Sequence, residues 1–239
     1  MAGNVAILPA RSGSKRIPGK NVRVFAGRPI LAWAIQAALD SGCFERVVVS
    51  TDSEDIAAVA RAHGAEAPFL RPAELSDDRT PTAPVVAHAL QELAHQGSRH
   101  EYCCCVYATA PFLKPEFLRQ GLELLRTTGA GSVFSVTTFA FPIFRALRLE
   151  QDGRLAMFWP EHEQTRSQDL PTACHDAGQF YWLDCARFLA EPRMYWPDSR
   201  PVVLPRWLVQ DIDDEEDWAT AEAMFQALAR RQTPSGSGS

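Results

Sequence analysis

Residues 8–21, LPARSGSKRIPGKN, place Arg11, Lys15, Arg16 and Lys20 around the small residues Ser12, Gly13 and Ser14. Small residues let backbone N–H groups approach phosphate oxygens, and Arg11, Lys15 and Lys20 can add charge-assisted hydrogen bonds. The wider pattern agrees. Residues 1–39 hold six cations and no acid, while the whole chain is −5, so the remainder carries −11. Cations gathered in one short segment of an acidic protein suit capture of a compact anion, and the acidic total argues against general nucleic-acid binding. The spacing excludes two familiar loops. Gly13 and Gly19 enclose five residues where a Walker loop has four, Asn21 follows Lys20 where that loop needs Ser or Thr, and no GxGxxG dinucleotide fingerprint occurs.

Two further segments carry chemistry. In Gln210-Asp211-Ile212-Asp213 an apolar stretch precedes two carboxylates two residues apart. On a strand such side chains share a face and can present both carboxylates to one cation. Magnesium, or manganese in its place, is commonly held this way, with phosphate and water completing the set. DxD alone is a weak signal, and Asp213 could serve only to cap the helix that follows. In Phe69-Leu70-Arg71-Pro72-Ala73-Glu74-Leu75, Arg71 precedes a proline and is therefore held extended, and Asp77, Asp78, Thr80 and Thr82 follow.

The elements that must position these groups alternate strand with helix. Strands are expected over residues 5–8, 46–50, 102–107 and 132–137, and helices over 29–41 with Gly42 as the stop, 82–95 and 115–126. Another helix, capped by Asp52 or Ser53, should end near His63-Gly64. The fold class is therefore α/β, a Rossmann-like open and mostly parallel sheet flanked by helices. The cationic loop then follows the first strand, at the carboxyl edge where such sheets bind ligands. Between residues 139 and 175 the rhythm breaks at Pro142, Asp152-Gly153 and Pro160, which predicts a β-hairpin arm serving as an edge excursion or a dimer contact. A last strand is expected over 207–212 and an amphipathic helix over 213–230 with Trp218, Ala221, Phe225 and Leu228 on one face. Residues 1–232 read as a single domain and residues 233–239, TPSGSGS, as linker.

Composition supports an ordinary globular protein, at 239 residues, 46% hydrophobic and 22% charged. No apolar run is long enough for a bilayer and no leader pattern opens the chain, so a cytoplasmic location and no membrane partner are expected. The run Cys103-Cys104-Cys105 lies in an apolar stretch without zinc spacing and reads as small core residues in a reducing compartment.

Taken in order, the three motifs resemble those of the sugar-acid (nonulosonate) cytidylyltransferases, whose first motif usually reads IPARxGSKRIPxKN. The likeness spans residues 4 to about 228. Residues 107–111 (YATAP) and 165–182 (TRSQDLPTACHDAGQFYW) look like the branch acting on pseudaminic acid, since enzymes for N-acylneuraminate usually carry Gln-Pro-Thr-Ser-Pro at 107–111.

The resemblance implies transfer of CMP from CTP to the acid, by in-line attack of the anomeric hydroxyl on the α-phosphate. It assigns Arg11, Lys15 and Lys20 to catalysis and Ala10, Ser14, Asn21, Arg71, Thr80 and Thr82 to the nucleotide, with Arg71 reading the cytosine edge. Tyr107, His175, Gln179, Phe180 and Tyr181 would shape the sugar pocket, and Asp211 and Asp213 would hold magnesium. It also implies a homodimer through the arm. The alternatives are the same chemistry on N-acylneuraminate, legionaminate or a deoxy-octulosonate, a catalytically silent nucleotide-binding regulator, and an oxidoreductase, which the missing fingerprint disfavours.

Overall fold

The computed structural model describes residues 3–232; the expected linker at 233–239 lies outside them. In chain order the strands are β1 (Val5–Pro9), β2 (Val24–Phe25), β3 (Arg28–Pro29), β4 (Arg46–Ser50), β5 (Tyr102–Val106), β6 (Ser132–Thr138), β7 (Leu147–Leu149), β8 (Leu155–Met157), β9 (Cys174–Asp184) and β10 (Arg200–Val203). The helices are α1 (Ile30–Ser41), α2 (Glu54–Ala62), α3 (Thr82–His95), α4 (Pro115–Thr128), α5 (Cys185–Ala190) and α6 (Glu215–Gln232).

The main sheet runs β10-β6-β9-β5-β1-β4. β1 pairs in parallel with both β4 and β5, and β10 with β6, whereas β9 runs antiparallel between β5 and β6. The sheet is thus mostly parallel, with one reversed central strand that the sequence did not announce. Its apolar faces are covered as an α/β sandwich requires. Ala34 and Ile35 of α1, Ile56 of α2 and Leu118 and Leu122 of α4 pack with Leu8, Val49 and Trp182 on one face. Val86, Leu90 and Leu93 of α3 and Phe188 of α5 pack with Ile7, Cys103, Cys105 and Leu183 on the other. All six cysteines are free, and the consecutive three are core residues of β5.

A third apolar cluster bears on the site. Ile17 from the cationic loop, Phe25, Ile30, Leu208, Ile212 and Trp218 are all buried together. Phe25 meets Trp218 and Phe225 edge to face with ring centres 5.5 Å apart, so α6 clamps the segment after the loop.

One expectation needs correction. Residues 207–212 form no strand; Arg206–Leu208 is a short 3-10 turn entered from Pro205, and no regular element follows until α6. Leu208 and Ile212 plug the third cluster while Trp207 and Asp211 are exposed, and β10 takes the sheet edge instead. The expected arm holds a hairpin, β7 against β8, in a sheet of its own. It leaves Phe141, Leu147, Leu149, Leu155 and Phe158 exposed.

Candidate active site

The carboxyl ends of β1 and β5 open onto one cleft of about 510 Å³. Its lining brings together Arg11, Ser14, Lys15, Arg16, Lys20, Asn21, Arg71, Thr80, Thr82, Tyr107 and Asp213, residues spread over most of the chain. Five of the lining residues are cations and three, Asp77, Asp78 and Asp213, are acids, leaving a net +2 to meet an anion.

Local bonds shape the loop. The Ala10 N–H donates to the Ser50 carbonyl (2.9 Å), continuing the parallel pairing past β1, and the Asn21 amide donates to the Arg11 carbonyl (2.9 Å), closing the ten-residue excursion. Asp52, which the sequence offered only as a helix cap, instead grips Ser12. One carboxylate oxygen accepts from the Ser12 N–H (2.8 Å) and the other from its hydroxyl (2.6 Å). Burial raises the Asp52 pKa and these two bonds lower it, the net lying below the usual carboxylate value. The cap of α2 falls to Ser53.

The Ser12 N–H is therefore committed to Asp52, and the Ser14 N–H to the Ser12 carbonyl (3.0 Å). Two of the three amides at 12–14 expected to cradle phosphate thus have partners within the loop and Asp52, and side-chain cations line the cleft beside them. Each cation has a carboxylate partner. Asp78 pairs with both Arg11 and Lys15, and Asp213 pairs with Arg16 at 2.8 Å and stands 4.0 Å from Lys20. Lys20 is largely buried, which lowers its pKa, while Asp213 and Asp211 oppose that shift.

The acidic segment faces the loop because both are rooted in the third apolar cluster, one through Ile17 and the other through Leu208 and Ile212. The capping of α6 falls to Asp214, whose side chain accepts from the N–H groups of Glu216 (3.0 Å) and Asp217 (2.9 Å). Asp217 in turn accepts from the N–H groups of Asp213 and Asp214. The Asp213 side chain is thereby left to the cleft. Asp211 is exposed beside it and does not line the cleft, although its charge reaches Lys20.

Arg71 is the one buried cation of the cleft, at 4% exposure. Its N–H donates to the Thr51 carbonyl (2.7 Å) and its Nε to the Ser76 hydroxyl (3.0 Å), which aims the guanidinium. Burial lowers its pKa, and nearby Asp52 offsets part of that. Leu75, Val85 and Ala108 add apolar surface around it. Asp77 accepts from the N–H and hydroxyl of Thr80, at 2.7 and 2.6 Å, and so holds the turn before α3. The Thr82 hydroxyl lies 3.2 Å from that of Tyr107.

The expected sugar residues fare differently. Only Tyr107 lines the cleft. Phe180 is fully buried against the helices of the first face, and Gln179 is buried with its amide donating to the Leu208 carbonyl at 2.5 Å. Tyr181 lies behind Tyr107, with ring centres 5.4 Å apart, and His175 sits on the exposed start of β9 with its ring against Phe139. The reason is that β9 is a central strand covered on both faces, so its alternating side chains enter the two cores. Ala10 is likewise fully buried behind the cleft. Arg16, Asp52 and Asp78 were not assigned from sequence. Arg16 and Asp78 lie within or beside quoted motifs, but the motif patterns gave no partner for them.

A cytidylyltransferase family matches residues 5–194 of the chain. Pseudaminic acid cytidylyltransferase from Campylobacter jejuni is 42% identical over 223 residues, covering 93% of this chain and 96% of that one. CMP-N,N'-diacetyllegionaminic acid synthase from Legionella pneumophila is 34% identical, covering 93% and 96%. Among solved structures, CMP:2-keto-3-deoxy-manno-octonic acid synthetase complexed with CTP matches with a TM-score of 0.68, covering 95% of this chain and 100% of that one; at 14% identity this supports the fold alone.

Proposed function

The chain belongs to the cytidylyltransferase family, and on that premise we propose that it transfers CMP from CTP to pseudaminic acid with release of pyrophosphate. The observation that carries this reading is the shared cleft, in which the cations of residues 11–20 meet Asp213 and Arg71 lines the same space. The anomeric hydroxyl oxygen forms a bond to the α-phosphorus, the bond from that phosphorus to the bridging oxygen breaks, and pyrophosphate carries away the charge. No protein nucleophile is needed; positioning and charge neutralisation supply the rate.

In this reading Arg11, Lys15 and Lys20 exchange their carboxylate partners for the triphosphate, with Ser14 beside them. Arg71 holds the cytosine edge, Asn21 keeps the loop closed, and Thr80 and Thr82 stand along the nucleotide. Asp211 and Asp213 would hold magnesium, which when bound neutralises phosphate charge. Both carboxylates act on the Lys20 ammonium, and among the described residues there is no group of three or more His, Cys, Asp or Glu side chains poised for a metal. Two carboxylates with phosphate and water are how magnesium is commonly held.

The exposed apolar side chains of the arm, Phe141 at 83% and Leu149 at 75%, support a homodimer formed through residues 139–175. The six free cysteines suit a reducing compartment, and we place the enzyme in the cytoplasm. Among the described residues no helix is long and apolar enough to cross a membrane.

The test is product analysis after mixing the protein with CTP, magnesium and, separately, pseudaminate, legionaminate, N-acylneuraminate and a deoxy-octulosonate. Pyrophosphate release with CMP-pseudaminate as the preferred product is expected. Preference for another acid overturns the substrate, and no release with any of them overturns the activity.

A further inference from the structure

The wall of the cleft around Tyr107 contains a chain of hydroxyls whose direction can be worked out. β9 departs from regular pairing with β6: Phe134 faces Tyr181 and Val136 faces Asp176, so a single residue of β6 opposes four of β9. Gly178, at φ +60°, makes the turn inside this bulge, and the Ser135 hydroxyl fills it by accepting from the N–H groups of Gln179 and Phe180 at 3.2 Å each. The bulge folds Asp176 back over Tyr181. One Asp176 oxygen accepts from the Gly178 N–H at 2.8 Å and the other accepts from the Tyr181 hydroxyl. The Tyr181 ring lies against that of Tyr107, centres 5.4 Å apart, which brings their hydroxyls within interaction range, and the Tyr107 hydroxyl lies 3.2 Å from that of Thr82 at the cleft.

A carboxylate can only accept. Tyr181 must therefore spend its proton on Asp176 and accept from Tyr107, which must spend its proton on Tyr181. The Tyr107 oxygen is left as an acceptor, for the Thr82 hydroxyl or for a donor in the cleft. Burial pushes the pKa of both phenols up, so they stay neutral hydrogen-bonding groups.

We propose that Asp176, acting through Tyr181, is a positioning residue that makes Tyr107 a hydrogen-bond acceptor in the acceptor-sugar half of the cleft. Tyr107 then selects a sugar acid that offers a hydroxyl or acylamino N–H there. This rests on the cytidylyltransferase reading. It also gives the strand bulge a chemical task, because the turn at Gly178 is what brings the carboxylate to the phenol.

The test is Asp176→Asn. The Gly178 N–H is a fixed donor, so the asparagine carbonyl oxygen must face it and the NH₂ must face Tyr181. Tyr181 then donates to Tyr107, and Tyr107 turns its proton toward the cleft. Size and anchor are kept while the polarity reverses. Mismatched polar groups in a binding pocket discriminate strongly. We expect the KM for pseudaminate to rise about tenfold or more, the scale of one lost hydrogen bond with its partner left unpaired, while the KM for CTP stays within about twofold.

Tyr181→Phe, which frees Tyr107 to rotate rather than reversing it, should give a smaller rise and keeps the question open to measurement if the asparagine variant folds poorly. A KM for pseudaminate within about twofold of wild type in both variants overturns the proposal while leaving the activity standing. Equal rises in the KM for both substrates also overturn it, since they mark a general structural loss. Failure of the wild-type protein to turn over any acid in the panel overturns the underlying activity and the proposal together.

Discussion

The two walls of the cleft hold their polar groups by different physics. On the wall made by residues 9–21 the groups are ions, and each is paired with a carboxylate that sits where a phosphate could sit: Asp78 with Arg11 and Lys15, Asp213 with Arg16 and Lys20. On the wall where α3 begins and β5 ends they are neutral hydroxyls, Thr82 and Tyr107, backed by Tyr181 of β9 and ordered by one carboxylate at the end of the chain. Coulombic pairs at a partly exposed site depend weakly on angle and can exchange partners, whereas a hydroxyl chain transmits a direction. The first arrangement suits a mobile polyanion that must be gripped and released. The second suits recognition of a particular pattern of donors.

The sharpest break between charge placement and mere folding lies between two adjacent aspartates, Asp213 and Asp214. Asp213→Ala should lower kcat by about 100-fold or more, as removal of a charge contact at a reacting phosphate does, with little change in thermal stability. Asp214→Ala should do the opposite, costing about 1 kcal/mol of stability through loss of the α6 cap while turnover persists. Pyrophosphate release and thermal unfolding measured on both variants check the pair, and near-wild-type turnover by Asp213→Ala would remove the acidic wall from the chemistry.

Lys20 gives the next largest effect. Burial depresses its pKa below the ordinary lysine value even against the pull of Asp213 and Asp211. The cation is present below that depressed value and lost above it, so kcat/KM for CTP should fall on the alkaline side. Lys20→Arg, which stays charged, should carry that limb to higher pH. An alkaline limb that does not move in this variant assigns the titration to another group. The smallest effect belongs to Asp78, an exposed competitor for Arg11 and Lys15. Asp78→Asn should lower the KM for CTP by about two- to fivefold, and a raised KM would mean that Asp78 helps to hold the nucleotide rather than its place.

The same division explains what could be read from the chain. The cationic wall is one contiguous segment after a short apolar strand, and its elements follow local periodicity: 46–50 and 82–95 are a strand and a helix at those very bounds. The acidic segment was legible as residues but not as conformation, because the apolar Leu208 and Ile212 are buried in the third cluster rather than in the sheet. Least visible was β9. Its start, Cys174-His175-Asp176-Ala177-Gly178, is polar and carries a glycine, and only pairing with β5 and β6, each dozens of residues earlier, makes it a strand. The sugar residues inferred by resemblance were therefore placed in the right neighbourhood, but Phe180 and Gln179 face inward and Tyr107 alone reaches the cleft. Asp52 shows the same limit, since its grip on Ser12 spans 40 residues of sequence.

The most direct measurement is a structure of the protein with CTP and magnesium bound. The account predicts the triphosphate between Arg11, Lys15 and Lys20 on one side and Asp213 on the other, with cytosine at Arg71 and the Asp78 pairs opened. A nucleotide bound elsewhere, or bound in this cleft with the Asp78 and Asp213 pairs intact, contradicts it.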